Sequence, residues 1–394
     1  MITQSAPDSL RRYFWTVGLT ALAILTATVT INYVVDPYLI HQWDTEHVQR
    51  LSPAQQKIMP WAKTYAVYRY RPEVVYLGSS RTEIGLPTDV QLFANKRVFN
   101  LAVKGGSFGD AVNMLRHTTV FHRPEIVVWG LDYGNQFKEG NGNSDFIPAL
   151  VAKDPSYPIW RTFLNIKRSA SMDMTKESLK VLSGFSEQKC RSQIATYGHK
   201  SSRCLEHIMR DEGGTAKAFD KVMQKNKPLG NPPNVQATLQ LLDQVTDDYC
   251  RQGTVFRFYL QPVHALAELS YWATHREDLD NWKRSLVTVI DARRRQGCDI
   301  RLVDFSGFNR ITSEEIPQST GHENMQYYWE HSHYRSEVGQ IILEKLFRKD
   351  RLEVAGDFGV ELTGETIEQH LSDFHKKRSE YITRHPRETS NMTP

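Results

Sequence analysis

The sequence is poor in cysteine, with only four in 394 residues and no Cys-x-x-Cys pair, so zinc and thioredoxin-type chemistry have no ligand framework. It has no charge excess of either sign. Lys and Arg number 49 and Asp and Glu 45, leaving +4, too little for the basic field of a nucleic-acid-binding protein. A mean hydropathy of -0.50 excludes a polytopic transporter, because several spans would pull that average upward. No internal repeat is present, which excludes a repeat array. What remains is an ordinary globular composition, 40% hydrophobic and 24% charged. The length suits one large domain with additions.

One long apolar run stands out. Residues 13–35 read YFWTVGLTALAILTATVTINYVV, with no charge between Arg12 and Asp36. At roughly 1.5 Å per residue, a helix of that length crosses a bilayer core. Tyr13, Phe14 and Trp15 open it and Tyr33 closes it, as interfacial anchors do. Arg11 and Arg12 flank its start, so the positive-inside rule places residues 1–12 in the cytoplasm. Everything from Asp36 onward is then periplasmic, and the expectation is a single-pass membrane protein. A cleaved signal peptide is the competing reading, but the run is long for one and no small-x-small site follows it. A buried core helix does not suit an uncharged run of this length.

The cysteines are compatible with an oxidising compartment. Cys190 and Cys204 lie close together in a polar stretch. Cys250 precedes the strand-like segment 255–260, and Cys298 precedes 300–305. If those strands are parallel neighbours, Cys250 and Cys298 share a sheet edge and are placed to bridge. Four unpaired thiols are the equal alternative.

After a polar connector, Ser52-Pro53 predicts a helix start, with serine at the cap and proline in the first turn, running to about Tyr70. Short apolar strands are expected at 74–77, 98–103, 126–129, 255–260 and 300–305. Helices are expected at about 108–120, 265–276 and 337–347. This alternation predicts an α/β fold with a mostly parallel sheet and helices on both faces, a three-layer sandwich. The α/β domain is expected over 71–350, after a connector and helix at 36–70. Residues 138–235 break the alternation and read as an insertion over the sheet edge, its Lys and Arg side chains forming a solvated face. The charged tail 351–394 has one amphipathic stretch (Ile367, Leu371, Phe374, Tyr381) that either docks or stays mobile.

Ligands of parallel sheets bind beyond the carboxyl ends of the strands, and here those ends are rich in glycine and polar residues. Gly78-Ser79-Ser80-Arg81-Thr82 follows the first strand, where a serine on a tight turn sits exposed near a helix N-terminus. Far away in sequence, Glu330 and His333 lie three apart just before the last core helix. A histidine to take the serine proton and a carboxylate to hold the imidazole complete a nucleophile-activating set. His331 is expected to point elsewhere, in a structural or substrate-facing role. A metal site from His331, His333 and Glu330 ranks below this, since no further ligand cluster supports it. Arg81 is read equally as a carboxylate binder or as the partner of a nearby acid. His264 either lines the pocket or caps a helix. Trp129, Tyr133, Tyr327, Tyr328 and Trp329 either stack on sugar rings or pack the core.

These motifs resemble the SGNH hydrolases, and among them the membrane-anchored branch that includes alginate-acetylation and D-alanine-transfer proteins. The resemblance covers roughly residues 74–346, interrupted by the insertion. It implies Ser80 as nucleophile, His333 as base, Glu330 in the place of the usual aspartate, and Gly105 or Gly106 as the oxyanion-hole glycine. The turn Gly130-Leu131-Asp132-Tyr133 matches in part, with Asp132 where the family has asparagine. A carboxylate does not donate to an oxyanion, so Asn135 or Asn100 supplies that donor, or Asp132 has another role, or catalysis is impaired. The implied function is a membrane-anchored, extracytoplasmic acyl-ester hydrolase or O-acyltransferase acting on a cell-surface or secreted glycan. It implies no cofactor, no metal and no nucleic acid. Its partners are the glycan or acyl-donor substrate, the membrane through the N-terminal helix, and a membrane-bound acyltransferase. The alternative is an inactive glycan-binding or assembly protein on the same scaffold.

Overall fold

The computed structural model describes residues 8–42, 50–51, 53–133, 151–152, 156–183, 187–191, 193–211, 213–223, 235–317, 325–347 and 356–389. Helix α1 (Asp8–Val35) carries the apolar run and starts five residues before it, so Arg11 and Arg12 lie within the helix. Its 28 residues extend about 42 Å, more than the ~30 Å of a bilayer core. Among the described residues it alone is long and apolar enough to cross a membrane. Helix α2 (Pro53–Tyr70) accommodates Pro60 in its interior; its expected cap, Ser52, lies outside the described residues.

The described strands are β1 (Arg50–Leu51), β2 (Val74–Leu77), β3 (Val98–Asn100), β4 (Ile126–Leu131), β5 (Glu187–Arg191), β6 (Val255–Leu260), β7 (Ile300–Asp304) and β8 (Val360–Glu361). β1 and β5 pair on their own, antiparallel. The rest form one sheet in the order β3-β2-β4-β6-β7-β8, parallel except for the β7–β8 pair. Alternate side chains enter two separate cores. The short α3 (Ser80–Gly85) follows β2, and Val75, Leu77, Val127, Trp129, Phe256 and Phe258 meet α4 (Phe108–Phe121), α9 (Val235–Cys250) and α10 (Ala265–Arg295). Val74, Tyr76, Val128, Tyr259 and Val303 enter the second core with α11 (Ser336–Phe347). Burial on both faces explains why these strands read as continuous apolar runs rather than as alternation.

The strand order also locates the site. From β2 the chain goes outward to β3, then crosses back past β2 to β4. The connections leaving β2 and β4 therefore diverge, opening a crevice at the carboxyl ends of those two strands.

The described part of the insertion carries four helices besides β5: α5 (Tyr157–Ser169), α6 (Met172–Leu182), α7 (Ser202–Asp211) and α8 (Gly214–Met223). It covers the outer edge of β3, where the Asn100 N–H donates to the Tyr197 carbonyl at 2.8 Å. A solvated cationic face describes Lys176 but not Arg161. Arg161 is 2% exposed, with its guanidinium 4.0 Å from the Tyr65 ring centre and bonded to the Tyr157 hydroxyl. Its charge is accommodated by aromatic faces, which sequence spacing does not reveal. β6 and β7 are parallel neighbours, and a disulfide joins Cys250 and Cys298 across a Cα separation of 5.6 Å. Cys204 is also disulfide-bonded, and no described cysteine is free.

The charged tail docks. β8 extends the sheet, and α12 (Ile367–Arg384) buries Leu371, Phe374 and Tyr381 against the first core, followed by the short α13 (Pro386–Thr389). The join is ionic as well as apolar. Buried Asp304, at the end of β7, receives Lys283 Nζ at 2.7 Å and His370 Nε2 of α12 at 2.8 Å. Burial raises this acid, but the charge of Lys283 and the hydrogen bond from His370 outweigh it and hold it well below the usual carboxylate range. Unfolded, the group titrates near ~3.9. A depressed carboxylate gives its full stabilisation above that value and loses it as pH falls below. Asp304→Asn should therefore destabilise the fold by about 3–5 kcal/mol at neutral pH and flatten the acid limb of stability. Urea denaturation at a series of pH values measures both, and parallel acid limbs in the two proteins would refute the assignment.

Candidate active site

β2 ends at Leu77, and the chain passes through Gly78 directly into α3. Gly78 has φ +148, and a Cβ there would press on the Thr82 side chain and lie 3.1 Å from the Gly130 carbonyl oxygen. Only glycine allows so abrupt a turn from strand to helix. Ser79 occupies the N-cap position of α3, yet its hydroxyl does not cap the helix. It donates instead to Asp132 Oδ2 at 2.6 Å, and Arg81 forms an ion pair with Asp132 Oδ1. Asp132, just beyond β4, thus holds the residues on both sides of Ser80 across the crevice.

Ser80 has a different partner. Its Oγ lies 2.8 Å from His333 Nε2. His333 Nδ1 hydrogen-bonds Glu330 Oε1, and the same oxygen accepts the His333 backbone N–H at 2.8 Å. These contacts form within a tight loop. The Trp329 N–H donates to the His333 carbonyl at 2.9 Å, Tyr328 and Tyr334 form an antiparallel bridge, and the Arg335 guanidinium lies 4.0 Å from the Trp329 ring centre. The loop projects Glu330 and His333 at its tip, where 26% of the His333 side chain remains exposed.

His331 does not point elsewhere, as the sequence reading expects. Its Nδ1 lies against the second Glu330 oxygen, so the carboxylate sits between two imidazoles. Burial raises the Glu330 carboxyl, but the charge of His333 and the hydrogen bonds from both histidines outweigh it and keep the group well below the usual carboxylate range. The line Glu330–His333–Ser80 has the geometry by which an imidazole accepts a hydroxyl proton while a fixed anion steadies the resulting cation.

A buried ring of hydrogen bonds ties the two halves of this line together. Gln261 Nε2 donates to Thr82 Oγ1 at 2.6 Å, and the Tyr334 hydroxyl donates to Gln261 Oε1 at 2.9 Å. The Tyr259 hydroxyl bridges Thr82 Oγ1 at 2.9 Å and the Tyr334 hydroxyl at 3.1 Å. Thr82 follows Ser80 by two residues and Tyr334 follows His333 by one, so the ring sets the distance between the elements bearing them. Sequence reading reaches Thr82 only as the end of the serine turn and assigns Tyr259, Gln261 and Tyr334 no part in the site, because their partners lie on other elements. Tyr334→Phe removes two bonds and strands Gln261 Oε1, with an expected loss of about 1–3 kcal/mol. Chemical denaturation tests this, and unchanged stability would show that the ring carries no weight.

The oxyanion side is more sparsely provided. The Val103 N–H donates to the Gly78 carbonyl at 3.1 Å, which seats the turn containing Gly105 and Gly106 beside the serine turn. The Gly106 N–H is committed to the Val103 carbonyl at 2.8 Å. Gly105 adopts φ +64, the left-handed position of that turn. Asn100 is not a free donor. Its Nδ2 donates to the Thr82 and Leu86 carbonyls at 2.9 and 3.2 Å, and its Oδ1 accepts the Ala102 N–H at 3.1 Å. Burial inside the turn commits its amide to backbone groups. Asn135 lies outside the described residues.

Of the remaining candidates, His264 is the N-cap of α10, its Nδ1 accepting the Leu266 N–H at 3.3 Å. Burial pulls its pKa down to about 4, so it is neutral at physiological pH. Trp129, Tyr328 and Trp329 are core residues. Among the described residues, no group of three or more His, Cys, Asp or Glu side chains is arranged to hold a metal. A narrow crevice bounded by Arg81, Asp132, Tyr133, Gln261 and Lys283 runs along the strand ends. The larger cleft of about 440 Å³ lies elsewhere, lined by Asp304, His370 and Phe374.

No protein-family model and no curated protein matches the chain. A solved structure from Streptococcus pneumonia, described as a candidate platelet activating factor, is similar over 75% of this chain and 92% of its own, at 11% identity and a TM-score of 0.35. A likeness this remote carries no argument about the fold or the chemistry of this chain.

Proposed function

We propose that this protein is a membrane-anchored, extracytoplasmic serine acyl-ester hydrolase or O-acyltransferase of the SGNH type, acting on a cell-surface or secreted glycan. The observation that carries the reading is the 2.8 Å contact of Ser80 Oγ with His333 Nε2, continued through Nδ1 to Glu330. In this mechanism Ser80 Oγ attacks the acyl carbonyl as His333 Nε2 takes its proton, and Glu330 stabilises the imidazolium. The tetrahedral oxyanion is met by backbone N–H groups of the first turn of α3 and by that of Gly105. The leaving alkoxide departs with the proton from His333, giving acyl-Ser80. Water or a glycan hydroxyl then attacks the acyl-enzyme, losing its proton to His333, and the acyl–Ser80 bond breaks as His333 Nε2 returns that proton to Ser80 Oγ, releasing the acid or the acylated glycan. Glutamate in place of aspartate is supported by the loop, which lets the longer side chain accept both the ring and the backbone N–H of His333.

The SGNH resemblance rests on these same positions and implies a three-layer sandwich around the sheet. Retention of α1 as an anchor is supported by Asn32, which is fully buried near its end. Its Nδ2 donates to the Ser169 carbonyl at 2.8 Å, and its Oδ1 accepts the Ser178 hydroxyl at 2.9 Å. A leader destined for cleavage has no need of such contacts. A membrane-bound acyltransferase is the proposed source of acyl groups in the transferase case. The second reading, a non-catalytic glycan-binding or assembly protein, is favoured by Asp132, whose carboxylate brings no donor to the oxyanion side. Fluorophosphonate labelling of the full chain separates the two. Labelling that disappears in Ser80→Ala supports the enzyme, whereas no labelling of folded protein supports the binder.

A further inference from the structure

We propose that α5 and α6 lie in the membrane interface beside α1, so that the domain rests on the bilayer instead of hanging from a flexible tether. The proposal rests on reading α1 as a membrane anchor; it is independent of the serine chemistry.

Short helices of a soluble domain turn their apolar face inward. Here α5 turns one outward: Ile159, Phe163 and Ile166, at helical spacing, are 79%, 68% and 65% exposed, with Trp160 beside them at 42%. α6 continues the surface with Met172, Leu179 and Leu182, all more than half exposed. A group of this kind on two adjacent helices marks an interaction surface rather than scattered exposure.

The position of the surface identifies its occupant. Asn32 fastens α1 to the junction of α5 and α6, through the Ser169 carbonyl, the Thr175 hydroxyl at 2.9 Å and the Ser178 hydroxyl. Val29 and Tyr33 of α1 line a cleft with Pro158, Thr162 and Ile166 of α5. The two helices therefore stand at the level of the last turns of α1, where its apolar run ends in Tyr33. Val29 to Tyr33 spans about 6 Å of helix, comparable to the ~5–10 Å depth that interfacial helices occupy. The outward face of α1 in the same run is itself unburied, so the apolar surfaces lie side by side. Charge adds little here: Lys176 and Lys180 of α6 pair with Asp173 and Glu177, and the Arg168 guanidinium stacks on Trp61, so the apolar face is what meets the lipid. The occupant is lipid of the leaflet into which α1 emerges.

The test uses the full chain in vesicles of phosphatidylcholine and phosphatidylglycerol. Single nitroxide labels are placed through Ile159→Cys, Phe163→Cys and Leu179→Cys, with Ser372→Cys, exposed on α12 at the other side of the sheet, as an aqueous control and Leu22→Cys in the middle of α1. Melting curves select variants that keep the fold. Power saturation with oxygen and with a water-soluble nickel chelate then reports depth. The expected result is an oxygen-to-nickel accessibility ratio at 159, 163 and 179 several-fold above that at 372. A ratio equal to that at 372 overturns the proposal, as does protection from both reagents, which would mean that protein or a second copy covers the face. Position 22 separates the two failures. Lipid exposure there with aqueous labels on α5 and α6 leaves the anchor standing and removes only the interfacial docking, while an aqueous label at 22 removes the anchor as well.

Discussion

Ser80→Ala is expected to abolish fluorophosphonate labelling and to lower ester turnover by several orders of magnitude while leaving the melting temperature unchanged. The loss is large because removal of the nucleophile leaves only binding and oxyanion stabilisation, and members of such a set act as a unit. Stability is spared because the Ser80 hydroxyl bonds to a partly exposed imidazole, not to the core. Ser79→Ala should do the opposite. It removes the 2.6 Å bond to Asp132, a nearly buried carboxylate, for a loss of about 1.5–3 kcal/mol, and it should retain labelling. Turnover, labelling and denaturation measured on both variants decide the matter. An active Ser80→Ala beside a dead Ser79→Ala would move the nucleophile by one residue, and activity in both would end the serine mechanism.

Gly339→Ala should damage both stability and activity. Gly339 of α11 meets Gly85 of α3 backbone to backbone: an added Cβ would overlap the Gly85 carbonyl, 2.8 Å from its carbon. Gly85 in turn sits against the Tyr334 ring, so α3 has no room to retreat. Overpacking of this kind costs about 1–3 kcal/mol, and contact with rigid backbone places it at the upper end of that range. Displacement of α3 also moves Ser80 relative to His333, because α3 begins at Ser80 and Tyr334 adjoins His333. The labelling rate should therefore fall together with the melting temperature. A variant that keeps wild-type values for both would show that the α3–α11 contact can open without consequence.

The parts of the site visible in the sequence are those that depend on chain-local geometry. Gly78-Ser79-Ser80 reads as a strand-to-helix turn because glycine permits it, and Glu330 and His333 meet because they share one loop. Partners of Asp132, Asn100 and His331 were not legible in the same way. Asp132 stands at the expected asparagine position, yet its two oxygens are occupied by Ser79 and Arg81, a consequence of β2 and β4 being neighbours. Asn100 looked like a spare amide until the fold placed it inside the α3 turn.

By itself, the sequence determined the apolar helix and the mostly parallel sheet. A bilayer-length uncharged run and doubly buried strands both write themselves as continuous hydrophobicity, a property of neighbouring residues. Only the tertiary structure decided that the tail contributes β8 and α12, that Arg161 is buried among aromatic rings, and that a hydroxyl–amide ring joins Thr82 to Tyr334. The physical reason is one of range. Hydrophobic patterning is encoded over a few residues, whereas a buried polar group is specified by whatever distant group satisfies it, and that partner exists only once the strands have taken their order.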